Sequence, residues 1–253
     1  MADKGLRVRS FQSGDYEIIK KHFCSCLLEP APSAFYHVLN HPVPWAIWGT
    51  GVAVVAGGLT LFTKQHSPPT KYIVAATSFW SAAVVTWLHR ISMGAYYNHT
   101  QWSLTQDMGH IPEYYQLEPI DESNKDNIIY APKGEKNFFV CEDSKGAIAG
   151  FVALDYHPER PKRTGELRRM IVAPTHRRRG VAEFLIQALI KHAKKNDLQV
   201  VELGTSDVQY GAKKLYQKLG WREHHRLFDE IRFIDIIKYE LTLENDMQVS
   251  PAV

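Results

Sequence analysis

A chain of 253 residues, 45% of them hydrophobic, has room for one complete domain and a further segment. Thirty Lys and Arg against 27 Asp and Glu leave a net charge of +3, too near balance for a general nucleic-acid surface. Three cysteines (Cys24, Cys26 and Cys141) are odd in number and lack framework spacing, which argues against a disulfide scaffold. The Cys24-x-Cys26 pair has no second Cys/His pair nearby at metal-like spacing, so no metal is expected. The polar start (Asp3, Lys4, Arg7, Arg9) has no apolar core behind it and does not read as a cleaved signal peptide.

Leu6 to Phe11 alternates and predicts a strand. Ser13-Gly14-Asp15 is a helix start before Tyr16 to Leu28, and prolines 30, 32, 42 and 44 are expected to end that element. Trp45 to Phe62 then runs 18 residues without a charge, and Tyr72 to Leu88 runs 17, on either side of a polar turn at Thr63 to Lys71. At about 1.5 Å per residue each falls somewhat short of a ~30 Å hydrocarbon core, a gap that flanking residues or local thinning can close. Neither run has a polar face, tryptophans 45, 48 and 87 stand near the ends, and Gly49, Gly51, Gly57 and Gly58 permit close helix approach. The pair reads as a membrane hairpin that returns the chain to the side it left, with a hairpin buried in a soluble protein as the other reading.

Asp107 to Gln116 reads as a short helix. Strands are then predicted at Asn137–Glu142, Ala147–His157, Glu166–Val172 and Leu198–Leu203, and again at Trp221–Leu227 and Ile234–Leu243. Helices are predicted at Arg179–Asn196, with Val181, Leu185, Ala188, Leu189 and His192 on one face, and at Tyr210–Leu219, stopped by Gly220. Arg160 to Arg163 is a basic loop, and the tail from Glu244 is polar. Between the third of these strands and the long helix lies Arg177-Arg178-Arg179-Gly180-Val181-Ala182. A strand, a basic glycine turn and a helix together form an anion site: the turn aims N–H groups at one point and the helix N-terminus adds partial positive charge. Gly180 lets the anion approach the backbone, and the arginines add forked donors.

This element order, with Arg177-x-x-Gly180-x-Ala182 opening the long helix, resembles the GNAT acetyltransferase superfamily, whose pyrophosphate loop reads Gln/Arg-x-x-Gly-x-Gly/Ala. Ala212-Lys213-Lys214-Leu215-Tyr216-Gln217-Lys218-Leu219-Gly220-Trp221 is similar to a second motif of that family. Family members often have Phe or Tyr where Trp221 stands, and Asn seven residues before the tyrosine, where this chain has Gln209. A GNAT domain split after its first helix by a hydrophobic hairpin, with Asp107-Met108 shortly after it, resembles the camello family. That family includes endoplasmic-reticulum N-acetyltransferases acting on cysteine S-conjugates and on protein lysines.

The resemblance implies an α/β GNAT fold, a mixed and mostly antiparallel sheet flanked by helices, interrupted after its first helix by a two-helix membrane hairpin. Residues 1–43 would supply the first strand and helix, 44–95 the hairpin, 96–243 the rest of the catalytic domain and 244–253 the tail. The implied co-substrate is acetyl-CoA. Arg177, Arg178, Arg179, Gly180, Val181 and Ala182 would hold its pyrophosphate, and the backbone of Met170, Ile171 and Val172 its pantetheine arm. Gln209 would stand at a coenzyme contact, and Lys213 and Lys214 would meet coenzyme phosphate or solvent. Tyr216 would protonate or stabilise the leaving thiolate; its bland reading is a core tyrosine. Glu166 would be the general base, against a reading in which it pairs with Arg168 or Arg169; His157 is a second base candidate. Arg160, Lys162 and Arg163 could attract a carboxylate on the acceptor or form a solvated loop.

The implied partners are acetyl-CoA, a primary amine (an amino-acid S-conjugate or a protein lysine) and a membrane of the endoplasmic reticulum or a related compartment, crossed twice. No nucleic acid is implied, and a homodimer is left open. Lys64 and Lys71 between the hairpin helices, against Arg90 beyond them, place the catalytic domain in the lumen by the positive-inside rule, whereas acetyl-CoA supply favours the cytosol. The sequon Asn98-His99-Thr100 lies close to the second helix. Two other readings stand beside this one: a non-catalytic acyl-CoA-binding membrane adaptor, and a soluble GNAT enzyme whose hairpin is an interaction element.

Overall fold

The computed structural model describes residues 5–62, 70–229 and 234–243. The polar tail from Glu244 and the turn at Thr63–Pro69 lie outside the described residues. In chain order the elements are β1 (Arg7–Ser10), α1 (Tyr16–Leu28), α2 (Ala31–Leu39), α3 (Pro42–Phe62), α4 (Thr70–Thr105) and α5 (Ile111–Tyr114). They continue with β2 (Leu117–Asp121), β3 (Ile129–Pro132), β4 (Asn137–Glu142), β5 (Ile148–Tyr156), β6 (Thr164–Val172), α6 (Val181–Lys195), β7 (Val200–Ser206), α7 (Tyr210–Lys218), β8 (Arg222–Asp229) and β9 (Ile234–Thr242).

Seven strands form one mixed sheet in the order β1-β4-β5-β6-β7-β9-β8, and β2 and β3 pair separately. All the registered pairs in the large sheet are antiparallel except β6 with β7. Alternation along β4 explains its two-sided burial. Phe139 and Cys141 point to the face where Leu185, Ile186 and Leu189 of α6 pack; Phe138 and Val140 point to the face covered by Ile19 and Phe23 of α1 with Met108, Ile111 and Tyr115. The stripe that α6 buries is Val181, Leu185, Ile186, Leu189 and Ala193; Ala188 and His192 sit at its half-buried edge. The chain divides into two units: Met1–Leu27, His99–Leu227 and Ile236–Val253 form the first, Leu28–Asn98 and Phe228–Asp235 the second.

Three helices depart from the expected layout, and the β2–β3 pair is an addition to it. Residues 31–39 form α2 rather than an irregular proline segment. Pro30 and Pro32 stand in the first helical turn, where no amide donor is needed. The second apolar helix runs on to Thr105, because Arg90 ends the uncharged stretch but not the helix. The helix expected over Asp107–Gln116 is reduced to Ile111–Tyr114.

In the second unit, α3 and α4 are each long and apolar enough to cross a membrane, by length and composition. Val84 and Leu88 of α4 pack with Val38 of α2, but other large side chains face outward: Val54 is 67%, Leu61 70% and Phe79 79% exposed. Exposed apolar side chains of this size are suited to contact with a partner or a membrane. The two helices touch through tryptophan. Trp48 Nε1 donates to Ser81 Oγ (2.9 Å), and Trp80 Nε1 donates to the Trp48 carbonyl (3.1 Å). Gly51 makes the approach possible, since a Cβ there would fall 2.1 Å from the Trp80 ring. Gly49, Gly57 and Gly58 meet no such neighbour.

Candidate active site

The site is set by a place where two strands part. β6 and β7 pair in parallel only at Thr164↔Val200, Gly165↔Val201 and Glu166↔Glu202. Beyond that rung β6 keeps only β5, while β7 continues along β9 to Ser206↔Ile236. The C-terminal half of β6, which includes Met170, Ile171 and Val172, thus has a main-chain edge outside any ladder. That edge can hydrogen-bond an extended amide-bearing ligand. A bulge displaces it further: Phe151 faces Ile171 and Ala153 faces Arg168, so β6 carries one residue more than β5, and Arg169 takes up the slack at φ 57°.

The turn after β6 leads into α6. Arg177, Arg178 and Arg179 are exposed, Arg178 has φ 64°, and Gly180 caps the helix at φ 83°, a conformation that favours glycine. Phe184 N donates to Gly180 O (3.0 Å), so the N–H groups of Val181, Ala182 and Glu183 precede the first intrahelical donor. No side chain caps them, and space beside Gly180 is open. This is a helix N-terminus with free donors and a cationic rim, suited to a di-anion.

Tyr216, on α7, is 5% exposed and packs against Trp221 (5.8 Å between ring centroids) and Tyr239 (6.2 Å). Burial raises its phenol well above the ordinary value of 10. It stays protonated at neutral pH and is better suited to donate a hydrogen bond to a thiolate than to surrender its proton to one, since a free thiol titrates near 8.5. Gln209 occupies the N-cap position of α7, where its Oε1 accepts from Thr205 Oγ1 (2.7 Å). Lys213 Nζ donates to the Asp207 carbonyl.

Glu166 is half-buried and pairs with neither Arg168 nor Arg169. Its partner is Arg160, with Nη2 2.9 Å from Oε2, and the same guanidinium contacts Glu202. Lys238 Nζ lies 3.9 Å from the other Glu166 oxygen. Arg168 instead binds Asp155 (2.8 Å), and Arg169 binds Asp107 through two bonds of 2.7 and 2.8 Å. Both carboxylates are buried. Burial alone would raise the pKa of Asp155, but Lys136, Arg168 and Tyr114 outweigh it and hold it at about 2. Asp107 is likewise lowered against its burial, by Arg169 and by the hydroxyl of Tyr115, which donates at 2.5 Å. His157, the other base candidate, lies 3.3 Å from Asp155.

The basic loop resolves into separate tasks. Arg163 donates to the carbonyls of Asn196 and Asp197 and pairs with Glu135, closing the end of α6. Arg160 alone among the three is held by the paired glutamates. Glu202 and Asp155 were not singled out from sequence, and Asp107 was noted only for its place after the hairpin, with no role. Glu202 is a lone charge in Val200-Val201-Glu202-Leu203, and Asp155 the lone charge in a strand whose every residue is buried; an isolated charge in an apolar strand is the signal that could have found them. Among the described residues no group of three His, Cys, Asp or Glu could hold a metal.

An opened sheet edge leading to an uncapped helix start is an arrangement suited to acetyl transfer from a thioester that carries a phosphate group. Residues 98–221 match the profile of the Acetyltransferase (GNAT) family, and the chain carries a GNAT acetyltransferase domain. Its relatives extend over most of its length, hairpin included. N-acetyltransferase family 8 member 3 of Rattus norvegicus is 25% identical over 87% of this chain and 86% of its own. N-acetylaspartate synthetase of Xenopus tropicalis is 23% identical over 92% of this chain and 81% of its own. Among solved structures, a GNAT-family acetyltransferase from Staphylococcus aureus is 20% identical, over 56% of this chain and 79% of its own, with a TM-score of 0.43. The chain is thus a GNAT acetyltransferase that is similar, over most of its length, to these two groups of N-acetyltransferases.

Proposed function

We propose that the protein moves an acetyl group from acetyl-CoA to a primary amine by direct transfer in a ternary complex, while anchored in the endoplasmic reticulum or a related membrane by two spans. The observation that carries this reading is the parting of β6 from β7 at Glu166/Glu202, with the Gly180 helix start at one end of the opened edge. Arg177 to Ala182 hold the pyrophosphate, and Met170 to Val172 offer main-chain groups to the pantetheine arm. The amine class, an amino-acid derivative or a lysine, follows from the family resemblance and from the names of the relatives.

The chemistry asks for a neutral amine, a polarised carbonyl and a stabilised leaving group. Glu166, or a water it holds, takes a proton from the acceptor ammonium. The freed lone pair attacks the thioester carbon, the C–N bond forms and the C–S bond breaks. Tyr216 donates a hydrogen bond to the departing sulfur, which takes up a second amine proton. One acetyl-CoA and one ammonium give one amide, one CoA thiol and one proton released to solvent.

The test uses the full chain in detergent with isotopically labelled acetyl-CoA and a panel of amines, read by mass spectrometry. At least one amino-acid S-conjugate or lysine peptide should gain the label. Tyr216→Phe and Gly180→Glu should each abolish turnover, and full activity in both purified variants would sink the reading. Resistance of the chain to carbonate extraction tests the anchor.

A further inference from the structure

Glu166 and Glu202 stand opposite each other on parallel strands, at the last rung before the cleft opens. Two carboxylates so placed repel and need a shared cation. Arg160 supplies it, one guanidinium nitrogen on each, and Lys238 stands behind Glu166. The cluster is not sealed: the side chains of Arg160, Glu166, Glu202 and Lys238 are 29%, 19%, 32% and 34% exposed. Water and a small solute can reach it, so its ion pairs can exchange partners. While the guanidinium holds Glu166, that carboxylate's lone pairs are committed and it is a poor base.

We propose that Arg160 is the specificity-determining residue for the acceptor: it binds a carboxylate on the incoming amine and, in doing so, releases Glu166 to act as the base. This inference rests on the function proposed above. An amino-acid acceptor carries a carboxylate and an ammonium a few ångström apart. Its carboxylate matches the guanidinium fork that the glutamates occupy, and its ammonium matches the two glutamates set free. The number of ion pairs is conserved in the exchange. An amine without a carboxylate must pull Glu166 from Arg160 with nothing to take its place. The fixed fork of arginine suits this exchange better than the point charge of a lysine. Arg163, the neighbouring cation, is already committed to Glu135 and two carbonyls and cannot take this part.

The experiment compares a cysteine S-conjugate with its carboxamide, identical except for the carboxylate, in the full chain and in Arg160→Gln and Arg160→Lys. The comparison between proteins cancels the difference in amine basicity. Loss of a charge-assisted bidentate contact should reduce kcat/KM for the acid roughly ten- to a hundred-fold in Arg160→Gln. That loss should appear mainly in its KM, while the carboxamide should lose nothing and gain activity, because Glu166 is no longer held by the guanidinium in that variant. The KM for acetyl-CoA should stay within about twofold in all three proteins, which reports an intact coenzyme site. Arg160→Lys should recover part of the preference. Equal losses for both acceptors, or a preference that survives in Arg160→Gln, would overturn the inference. So would a wild-type protein that acetylates a lysine peptide and neither small acceptor, although the proposed reaction would then stand. Failure to acetylate any amine while acetyl-CoA still binds would overturn the proposed reaction and this inference with it.

Discussion

Arg168 and Arg169 on β6 and Arg177 to Arg179 just past its end are alike in a linear reading, yet their surroundings differ in kind. The first two are drawn into the protein and fastened to Asp155 and Asp107, carboxylates with no exposed surface. The other three are exposed around a helix start that has donors to spare. A buried arginine with a fixed partner shapes the backbone, here the bulge at Arg169, while exposed arginines beside a free helix start are placed to meet a mobile anion. The difference lies in the partner and the solvent, not in the residue type.

The sharpest way to test that contrast is to remove a partner. Asp107→Asn would leave Arg169, only 7% exposed, without its counter-charge and leave one acceptor oxygen where Arg169 and Tyr115 now share two. A loss of about 3–5 kcal/mol is expected, read as a fall in the thermal midpoint of the detergent-solubilised chain. An unchanged midpoint would mean that the buried pair is not structural. The next effect is a dependence on acid. The pKa of Asp155 in the folded chain, about 2, lies below the carboxylate's ordinary 3.8. Its contribution, roughly 2–3 kcal/mol, is complete above pH 4 and lost as pH falls from there through 2. Denaturation followed between pH 5 and 2 should show that slope, and Asp155→Asn should flatten it. The smallest effect belongs to the exposed group. Arg178→Ala should leave the thermal midpoint unchanged and raise the KM for acetyl-CoA severalfold, about 1 kcal/mol or less, with a difference that shrinks in high salt. A fall in stability there would erase the contrast.

Much of this was legible along the chain, and what was missed has a common cause. Periodicity and turn residues located β4 to within a residue and most of the sheet to within two, because these strands are bounded by turns and filled with buried apolar side chains. Gly180 and its arginines were visible because strand, glycine turn and helix are consecutive. Breakers told only half the story: α1 ends at Leu28 as expected, but Pro30 and Pro32 also open α2. The strands β2 and β3 were invisible because, apart from a single bridge between Ile129 and Gln12, they pair with each other and bury little beyond Leu117. The partner of Glu166 could not be read because Arg160 reaches it around a turn in which Lys162 takes φ 56°, and periodicity says nothing about such a path.

The pairing of β1 with β4 has a consequence for how the chain is made. Arg9 and Glu142 meet across 133 positions, and the two apolar helices are synthesised between them. At a synthesis rate of roughly 5–20 residues per second, β1 waits on the order of ten seconds for its partner strand. Through that interval Ile19 and Phe23 of α1, later among the most buried side chains of the domain, have no sheet to cover. The order of synthesis thus runs against the order of pairing, so the enzyme's most exposed moment precedes its first complete sheet. A chain made too slowly, or held back at its hairpin, would present that uncovered helix to the cell's chaperones for longer.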